Sequence, residues 1–384
     1  MKPLAQSAIR KQNIRSILRL LTLHSPRTRQ SLAEATGLSL MSVSNLVDQL
    51  KACQVLELLP MERPDTQKPA SGRKAENISL SGAHHAWLML DLSGKAFHAT
   101  LLGFDLSVLW ERSSVPAADD YVHCLSAFLK TVRLSLPQVL SGRALQGVAV
   151  VTPGPYDVAS DTVHNQRLRA LNGVHIKQLL QRELGDYPYC VDEDVKFAVR
   201  AFSPLIEQEQ CELLYYLFIG EGVGGAAVHG GNLLRGLNAT AGDAGQLLAP
   251  CGETYENLLS LSAFAASLHC MGEDADRLSE QLQLLSDDAP EAYRSTLQQA
   301  AQTTADMLSG VLWVLDPSHI VIDCRYAAPF ESAYIDAVCR ALQVHFSASN
   351  RALPVIMPAP GGMRSVLRGA VQALQQDWVE RIVP

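Results

Sequence analysis

No cysteine in this chain stands in a CxxC pair; Cys53, Cys124, Cys190, Cys211, Cys251, Cys270, Cys324 and Cys339 are scattered singly. That pattern implies neither a disulfide framework nor a cysteine-based metal site, and it suits reduced thiols. Long apolar runs are missing too. The longest, Ala86–Leu90 and Leu213–Ile219, fall far short of the roughly 20 residues that span a bilayer, so no membrane partner is expected. The N-terminus spreads Lys2, Arg10, Lys11, Arg15 and Arg19 through a helical pattern and lacks the unbroken apolar stretch of a signal peptide. The chain is read as cytoplasmic. What it does have is 47% apolar residues over 384 positions, enough for two or three packed domains and too many for disorder.

Charge is divided along the chain. Residues 1–80 hold 12 Lys and Arg against 6 Asp and Glu, a net of +6, which leaves −13 for residues 81–384. A basic segment joined to an acidic body fits a polyanion-binding module attached to a domain the polyanion would repel. Charge alone leaves open a basic surface that binds nothing.

Helical spacing in the basic segment bears on that choice. Ile9, Ile14, Ile17, Leu18 and Leu21 share one face of a helix predicted from about Ala8 to Leu23, ended by His24-Ser25-Pro26. A second short helix, Thr28–Thr36, should stop at Gly37, where a turn needs positive φ. Ser39 is placed to cap a third helix through Leu50. Leu32, Ala33, Leu38, Val43, Leu46, Val47 and Leu50 supply a core, leaving Met41, Ser42, Ser44, Asn45 and Gln49 outward. Two helices across a tight glycine turn, the second polar on its outer face, have the form of a helix-turn-helix reader of double-stranded DNA; a helical hairpin that binds nothing is the alternative. Strands at Val55–Leu59 and Ala75–Leu80 would make a wing, with Arg63, Lys68, Arg73 and Lys74 in its loop for phosphate or minor-groove contact. The candidate DNA-binding residues are Arg29, Ser39, Met41, Ser42, Ser44, Asn45, Gln49, Arg73 and Lys74.

The remainder alternates strands and helices as an α/β protein does. Strands are predicted at Trp87–Asp91, Ala96–Asp105, Val108–Ser114, Leu145–Val151, Leu213–Gly220, Gly224–Gly230 and His319–Asp323. Helices are predicted at Tyr121–Leu134, Val174–Leu184, Tyr255–Leu268, Ala289–Leu315, Glu331–Leu342 and Val366–Leu374.

The stretch Thr28–Ser39 with Val43-Ser44, followed by Ser71-Gly72-Arg73-Lys74, resembles the DNA-binding domain of the ROK family of sugar-responsive repressors and bacterial sugar kinases, and the resemblance continues to the C-terminus. It implies a winged helix-turn-helix over residues 1–82, followed over residues 83–384 by a two-lobed fold similar to actin and hexokinase. The family's nucleotide turns are altered. Its Asp-x-Gly-Gly-Thr corresponds to Asp91-Leu92-Ser93-Gly94-Lys95; its Gly-Thr-Gly to Gly220-Glu221-Gly222, which sets a carboxylate toward phosphate; its late Gly-Gly to Asp323-Cys324. Phosphate loops depend on backbone N–H groups that only glycine lets an anion approach, so no ATP cofactor and no kinase activity are expected. Asp91 alone reads as a strand-end turn residue.

The sugar motifs are kept in part. The family's Glu-Asn-Asp, whose aspartate is the base on the sugar hydroxyl, resembles Asp192-Glu193-Asp194, and its Gly-Glu-x-Gly-His resembles Gly242-Asp243-Ala244-Gly245-Gln246. Its zinc-binding cysteine segment resembles Pro250–Glu256, and with Gln246 and a lone Cys251 that tetrahedral site cannot be made. The resemblance implies an effector cleft at Glu193, Asp194, Asp243, Gln246 and Glu256; a decayed cleft that binds nothing is the alternative. The expected function is a transcriptional repressor of carbohydrate-metabolism genes, a homodimer or homotetramer on its operator, modulated by a sugar-like effector. An active sugar kinase with a DNA-binding appendage, or a regulator controlled by a partner protein, are the other readings.

Overall fold

The computed structural model describes residues 3–60, 76–117, 120–163, 169–202, 211–268, 291–349, 351–359 and 363–383. It divides into two compact units: Met1–Glu193 with Ala370–Pro384, and Asp194–Gly369. No helix among the described residues is long and apolar enough to cross a membrane.

The first unit opens with three helices, α1 (Pro3–Leu23), α2 (Arg29–Thr36) and α3 (Leu40–Ala52). Local chemistry sets their ends. The Thr28 hydroxyl accepts the Ser31 N–H, Gly37 turns the chain at φ +68°, and the Ser39 hydroxyl accepts the Ser42 N–H at 3.1 Å. Ile14, Ile17, Leu18, Leu21, Leu32, Val43, Leu46, Val47 and Leu50 are buried together. Ile9, expected on that buried face, is 48% exposed, because it lines an open groove beside α3. Ala33 and Leu38 are half-buried. Strands β1 (Leu56–Pro60) and β2 (Glu76–Leu80) pair antiparallel, Leu58 opposite Ile78. Their connecting loop, with Arg63, Lys68, Arg73 and Lys74, lies outside the described residues.

The same unit continues with β3 (His85–Asp91), β4 (Phe97–Gly103), β5 (Val108–Ser114), α4 (Tyr121–Leu140), β6 (Ala144–Thr152), β7 (Tyr156–Asp157), β8 (Thr162–Val163), α5 (Ile176–Glu183) and β9 (Tyr189–Glu193). Five of these strands form a sheet ordered β5-β4-β3-β6-β9. β3, β6 and β9 run parallel, and α4 and α5 cover their apolar face with Leu125, Phe128, Leu129, Leu179 and Leu180. Residue pairing between β3 and β6 passes from Ala86↔Leu145 to Trp87↔Gly147, so Gln146 is the extra residue of a β-bulge, a device that re-aims a side chain.

The second unit holds α6 (Asp194–Ala201), β10 (Leu213–Ile219), β11 (Val223–His229), β12 (Asn232–Leu233), α7 (Tyr255–Leu259), α8 (Leu261–Ser267), α9 (Glu291–Leu315), β13 (His319–Cys324), α10 (Glu331–His345) and β14 (Val355–Pro358). Its sheet is ordered β12-β11-β10-β13-β14, with a core built on Leu217, Ile320, Ile322, Met307, Leu308 and Val338. The last helix, α11 (Met363–Ile382), carries the chain from the second unit back into the first.

Several elements differ from expectation for identifiable reasons. The single helix expected over Tyr255–Leu268 is two, because Ser260 leaves the helical region at ψ 156° and caps the second through the Ala263 N–H. α4 runs on to Leu140 through Pro137, held by buried Leu136. α11 reaches Ile382, where Trp378 and Val379 are buried. Strand β9 and helix α6 carry too few alternating or helical positions to be predicted, and β14 is four residues long.

Candidate functional site

On the outer face of α3, Met41 is 76% exposed and Ser42 and Asn45 are exposed. Ser44 and Gln49 are half-buried. The hydroxyls of Ser39 and Ser42 lie 2.8 Å apart, so Ser39 is committed to the cap. Gln49 Oε1 accepts from Arg10 Nε at 3.1 Å and Nη2 at 2.6 Å. Arg29 is only 18% exposed and pairs with Glu76 at 3.1 Å and Asp48 at 3.4 Å, tying α2 to the wing and to α3. Arg73 and Lys74 lie outside the described residues.

Residues of α1 that were not expected share this surface. Gln6, Ile9, Arg10 and Asn13 on α1 face Ser42, Asn45 and Leu46 on α3 across an open groove of about 440 Å³. The signal was there to read: the first three turns of α1 carry Gln6, Arg10, Lys11 and Asn13 on several sides, where a buried helix would be apolar.

In the first unit, sheet register aligns the acidic motifs. Asp91 stands opposite Val151, Asp192 opposite Val151 and Glu193 opposite Thr152, all at the carboxyl ends of parallel strands, where open α/β sheets bind ligands. Asp192 and Glu193 are buried. Asp91 Oδ1 accepts from the Ser93 N–H at 2.9 Å and the Ser93 hydroxyl at 2.6 Å, which makes Asp91 the acceptor of a tight turn. Burial, with Asp161 and Asp192 close by, pushes the Tyr156 phenol well above its ordinary range. The chain passes from one unit to the other at the Glu193–Asp194 peptide bond.

In the second unit, Asp194 opens α6 and its Oδ1 accepts the Val195 N–H at 2.7 Å. Two residues on, Lys196 is fully buried and its ammonium donates to the Ala239 carbonyl. No sequence motif singled it out. Burial raises the Asp243 carboxyl and the Lys196 charge draws it back down; Asp243 Oδ1 is buried without a hydrogen-bond partner. Gln246 Nε2 donates to Glu256 Oε2 at 2.9 Å on the exposed side of this loop. The structure thus joins Lys196 with Asp243, and Gln246 with Glu256. Gln246 holds a carboxylate as an amide donor and Cys251 is exposed, a donor set that does not fit zinc; among the described residues no three or more His, Cys, Asp or Glu side chains are grouped so as to hold a metal ion.

The turn at Gly220–Gly222 corrects one expectation. Glu221 is not a bare carboxylate set against phosphate: Arg325 Nη1 pairs with it at 2.8 Å, and that guanidinium lies 5.5 Å from the Phe218 ring centroid. Arg325 follows Asp323, whose carboxylate accepts from the buried Tyr216 hydroxyl at 2.7 Å. The Glu221 carboxylate is therefore neutralised by a side chain that follows β13. Gly225 stays glycine because a Cβ there would lie 2.1 Å from the Tyr215 hydroxyl and 2.4 Å from the Gly242 carbonyl.

Comparison with known proteins gives three kinds of relative. The model of the ROK family matches residues 88–377. An N-acetylmannosamine kinase of Escherichia coli O139:H28 is 25% identical over 251 residues, covering 61% of this chain and 81% of the kinase. A putative xylose repressor of Caldicellulosiruptor sp. is 22% identical over 236 residues, 60% of this chain and 57% of the repressor. Among solved structures, a ROK family transcriptional regulator described as a homologue of the E. coli MLC protein superposes with a TM-score of 0.66 at 15% identity, over 98% of this chain and 99% of that one. That likeness shows the fold: an N-terminal helical region ahead of the α/β architecture shared with hexokinase-like proteins.

Proposed function

Because this chain belongs to the ROK family and carries a capped helix pair ahead of the matched domain, we propose that it is a cytoplasmic DNA-binding transcriptional regulator, a repressor of carbohydrate-metabolism genes. In this reading residues 1–82 are a winged helix-turn-helix, and residues 83–384 bind a sugar-like effector and form the homodimer or homotetramer. The observation that carries it is the outer face of α3, where Met41, Ser42 and Asn45 stand exposed on a helix started by the Ser39 cap, within a segment of net charge +6. Such a helix offers small polar donors and acceptors to base edges, while the surrounding cations hold phosphates. Glu193, Asp194, Asp243, Gln246 and Glu256 are the effector residues of this reading, with carboxylates accepting hydrogen bonds from ligand hydroxyls.

A second reading, a sugar kinase with a DNA-binding appendage, is favoured by the kinase relative and by Asp194 at the family's base position. The Glu221–Arg325 pair argues against it.

The test takes the full chain to a random duplex pool, with the enriched duplex as probe. Enrichment of one sequence, and its release by a member of a panel of hexoses, amino sugars, sugar acids and polyols, is the expected result. A panel member that binds the folded state should raise its stability by about 2.7 kcal/mol at a hundredfold excess over Kd, with no ATP present. Asp194→Ala or Asp243→Asn should remove that melting shift and leave duplex binding intact. With ATP and magnesium, no sugar phosphate is expected. Failure to enrich any duplex defeats the regulator, and phosphorylation lost in Asp194→Asn establishes the kinase.

A further inference from the structure

The C-terminal end of the reading helix is tied to the first unit's sheet by an unbroken line of polar side chains. Cys53 caps α3, and its carbonyl lies 2.9 Å from His85 Nε2. His85 Nδ1 lies 2.8 Å from Gln146 Nε2, and Gln146 Oε1 lies 3.0 Å from Trp378 Nε1 on α11. The backbone carbonyl of Gln146 accepts from Arg381 at 2.7 Å. The ends of this line dictate every polarity in it. An indole N–H can only donate, so Gln146 turns its oxygen to Trp378 and its amide NH₂ to His85. A carbonyl can only accept, so His85 carries its proton on Nε2 and offers Nδ1 as acceptor. Trp378 donates to Gln146, Gln146 to His85, and His85 to the cap of α3.

The anchor points are firm. Trp378 is buried with its ring 5.4 Å from that of Phe104, and Phe104 N–H donates to the His85 carbonyl at 3.0 Å. Gln146 is the bulged residue of β6, and without the bulge its side chain would fall on the other face of the sheet. Six residues further along β6, roughly 20 Å at the rise of a strand, Thr152 pairs with Glu193 of β9.

We propose that the Trp378–Gln146–His85 line is the coupling element of the reading head: it holds the pose of α3 to strand β6, so that a shift at the β6–β9 strand ends is transmitted along one rigid strand to the cap of α3. The proposal deepens the regulator reading and rests on it for its consequence, since α3 is the helix assigned to DNA. Trp378, Gln146 and His85 are positioning residues. They touch neither the exposed face of α3 nor the acidic strand ends.

Trp378→Phe keeps a ring against Phe104 and removes only the N–H; Gln146→Met removes the centre of the line at a half-buried site; Gln376→Ala, exposed on the same helix, is the control. Two quantities are measured on the full chain: amide hydrogen exchange at Leu50–Val55, and the ratio of affinities for the pool-selected duplex and an unrelated duplex. In both line variants, exchange at Leu50–Val55 should quicken and the affinity ratio should fall, each by about fivefold or more, the lower end of measured couplings between sites. The control should change neither. Residues that only support α11 would quicken exchange on that helix and lower Tm, leaving Leu50–Val55 at the parent rate; that result overturns the proposal. If the parent chain selects no duplex, the DNA reading falls, and exchange at Leu50–Val55 by itself decides the coupling.

Discussion

Ser42→Glu combined with Asn45→Glu should lower affinity for the pool-selected duplex by at least about a thousandfold, to the level of non-specific binding or below it. Both side chains are exposed on the outer face of α3, so the new carboxylates meet base edges and phosphates without a packing cost. Folding should not suffer. Ser39 caps the helix and position 42 lies three residues later, so a glutamate there completes a capping box and favours the helix start. A duplex affinity that falls while Tm holds or rises separates loss of the interface from loss of the fold. Arg73→Ala with Lys74→Ala should act differently, weakening all duplexes alike and reducing the salt slope by about two, one for each phosphate that is no longer neutralised. Unchanged binding in Ser42→Glu/Asn45→Glu would remove α3 from the DNA interface.

Lys196→Met should destabilise the protein by about 3 kcal/mol at neutral pH. The ammonium is fully buried and hydrogen-bonded to the Ala239 carbonyl. Without it, that carbonyl is deprived of a donor and the largely buried Asp243 carboxylate is deprived of the charge that holds it down. The loss lies at the low end of what a broken buried pair costs because Asp243 is partly open to solvent. The pH dependence follows from the direction of the shift. Burial raises the folded carboxyl above its ordinary value of 3.8, so the folded state holds this proton more tightly than the unfolded state does. Its contribution to stability is present in acid and lost as pH climbs from the ordinary carboxylate value through the raised one. Removing Lys196 raises the carboxyl further, and the loss extends to higher pH. Adding Asp243→Asn to Lys196→Met should recover stability at neutral pH and flatten the profile, as a chemical melt at several pH values would record. A Lys196→Met chain as stable as its parent, with an unchanged profile, would show that this lysine does not compensate Asp243.

Local rules made much of the architecture legible. The cap at Ser39 and the turn at Gly37 depend on residues within three or four positions of one another, and they lie where the sequence puts them, while Thr28, read as the first residue of the second helix, caps it instead. Val108–Ser114 is a strand over the residues predicted. Elsewhere tertiary packing outweighed local preference. Ile9 faces a groove shared with α3 instead of the core, and α11 is lengthened by burial of Trp378 and Val379.

The functional surfaces divide the same way. Sequence by itself determined the basic N-terminal segment, the polar outer face of α3 and the side chains that stand at Ser93, Glu221 and Asp323, because each is a matter of residue type at short spacing. Only the tertiary structure decided which charges meet. Glu221 meets Arg325 across 104 positions, Arg29 meets Glu76 across 47, and Trp378 meets Gln146 across 232. Partners so distant are chosen by strand order and helix packing. A carboxylate read as repelling phosphate therefore proved to be neutralised, Arg29 pairs with two acids that its own neighbours in sequence do not supply, and a lysine in no motif proved to hold the charge beside Asp243. A side chain's type states what it can donate or accept, whereas its partner is fixed only when the chain has closed around it.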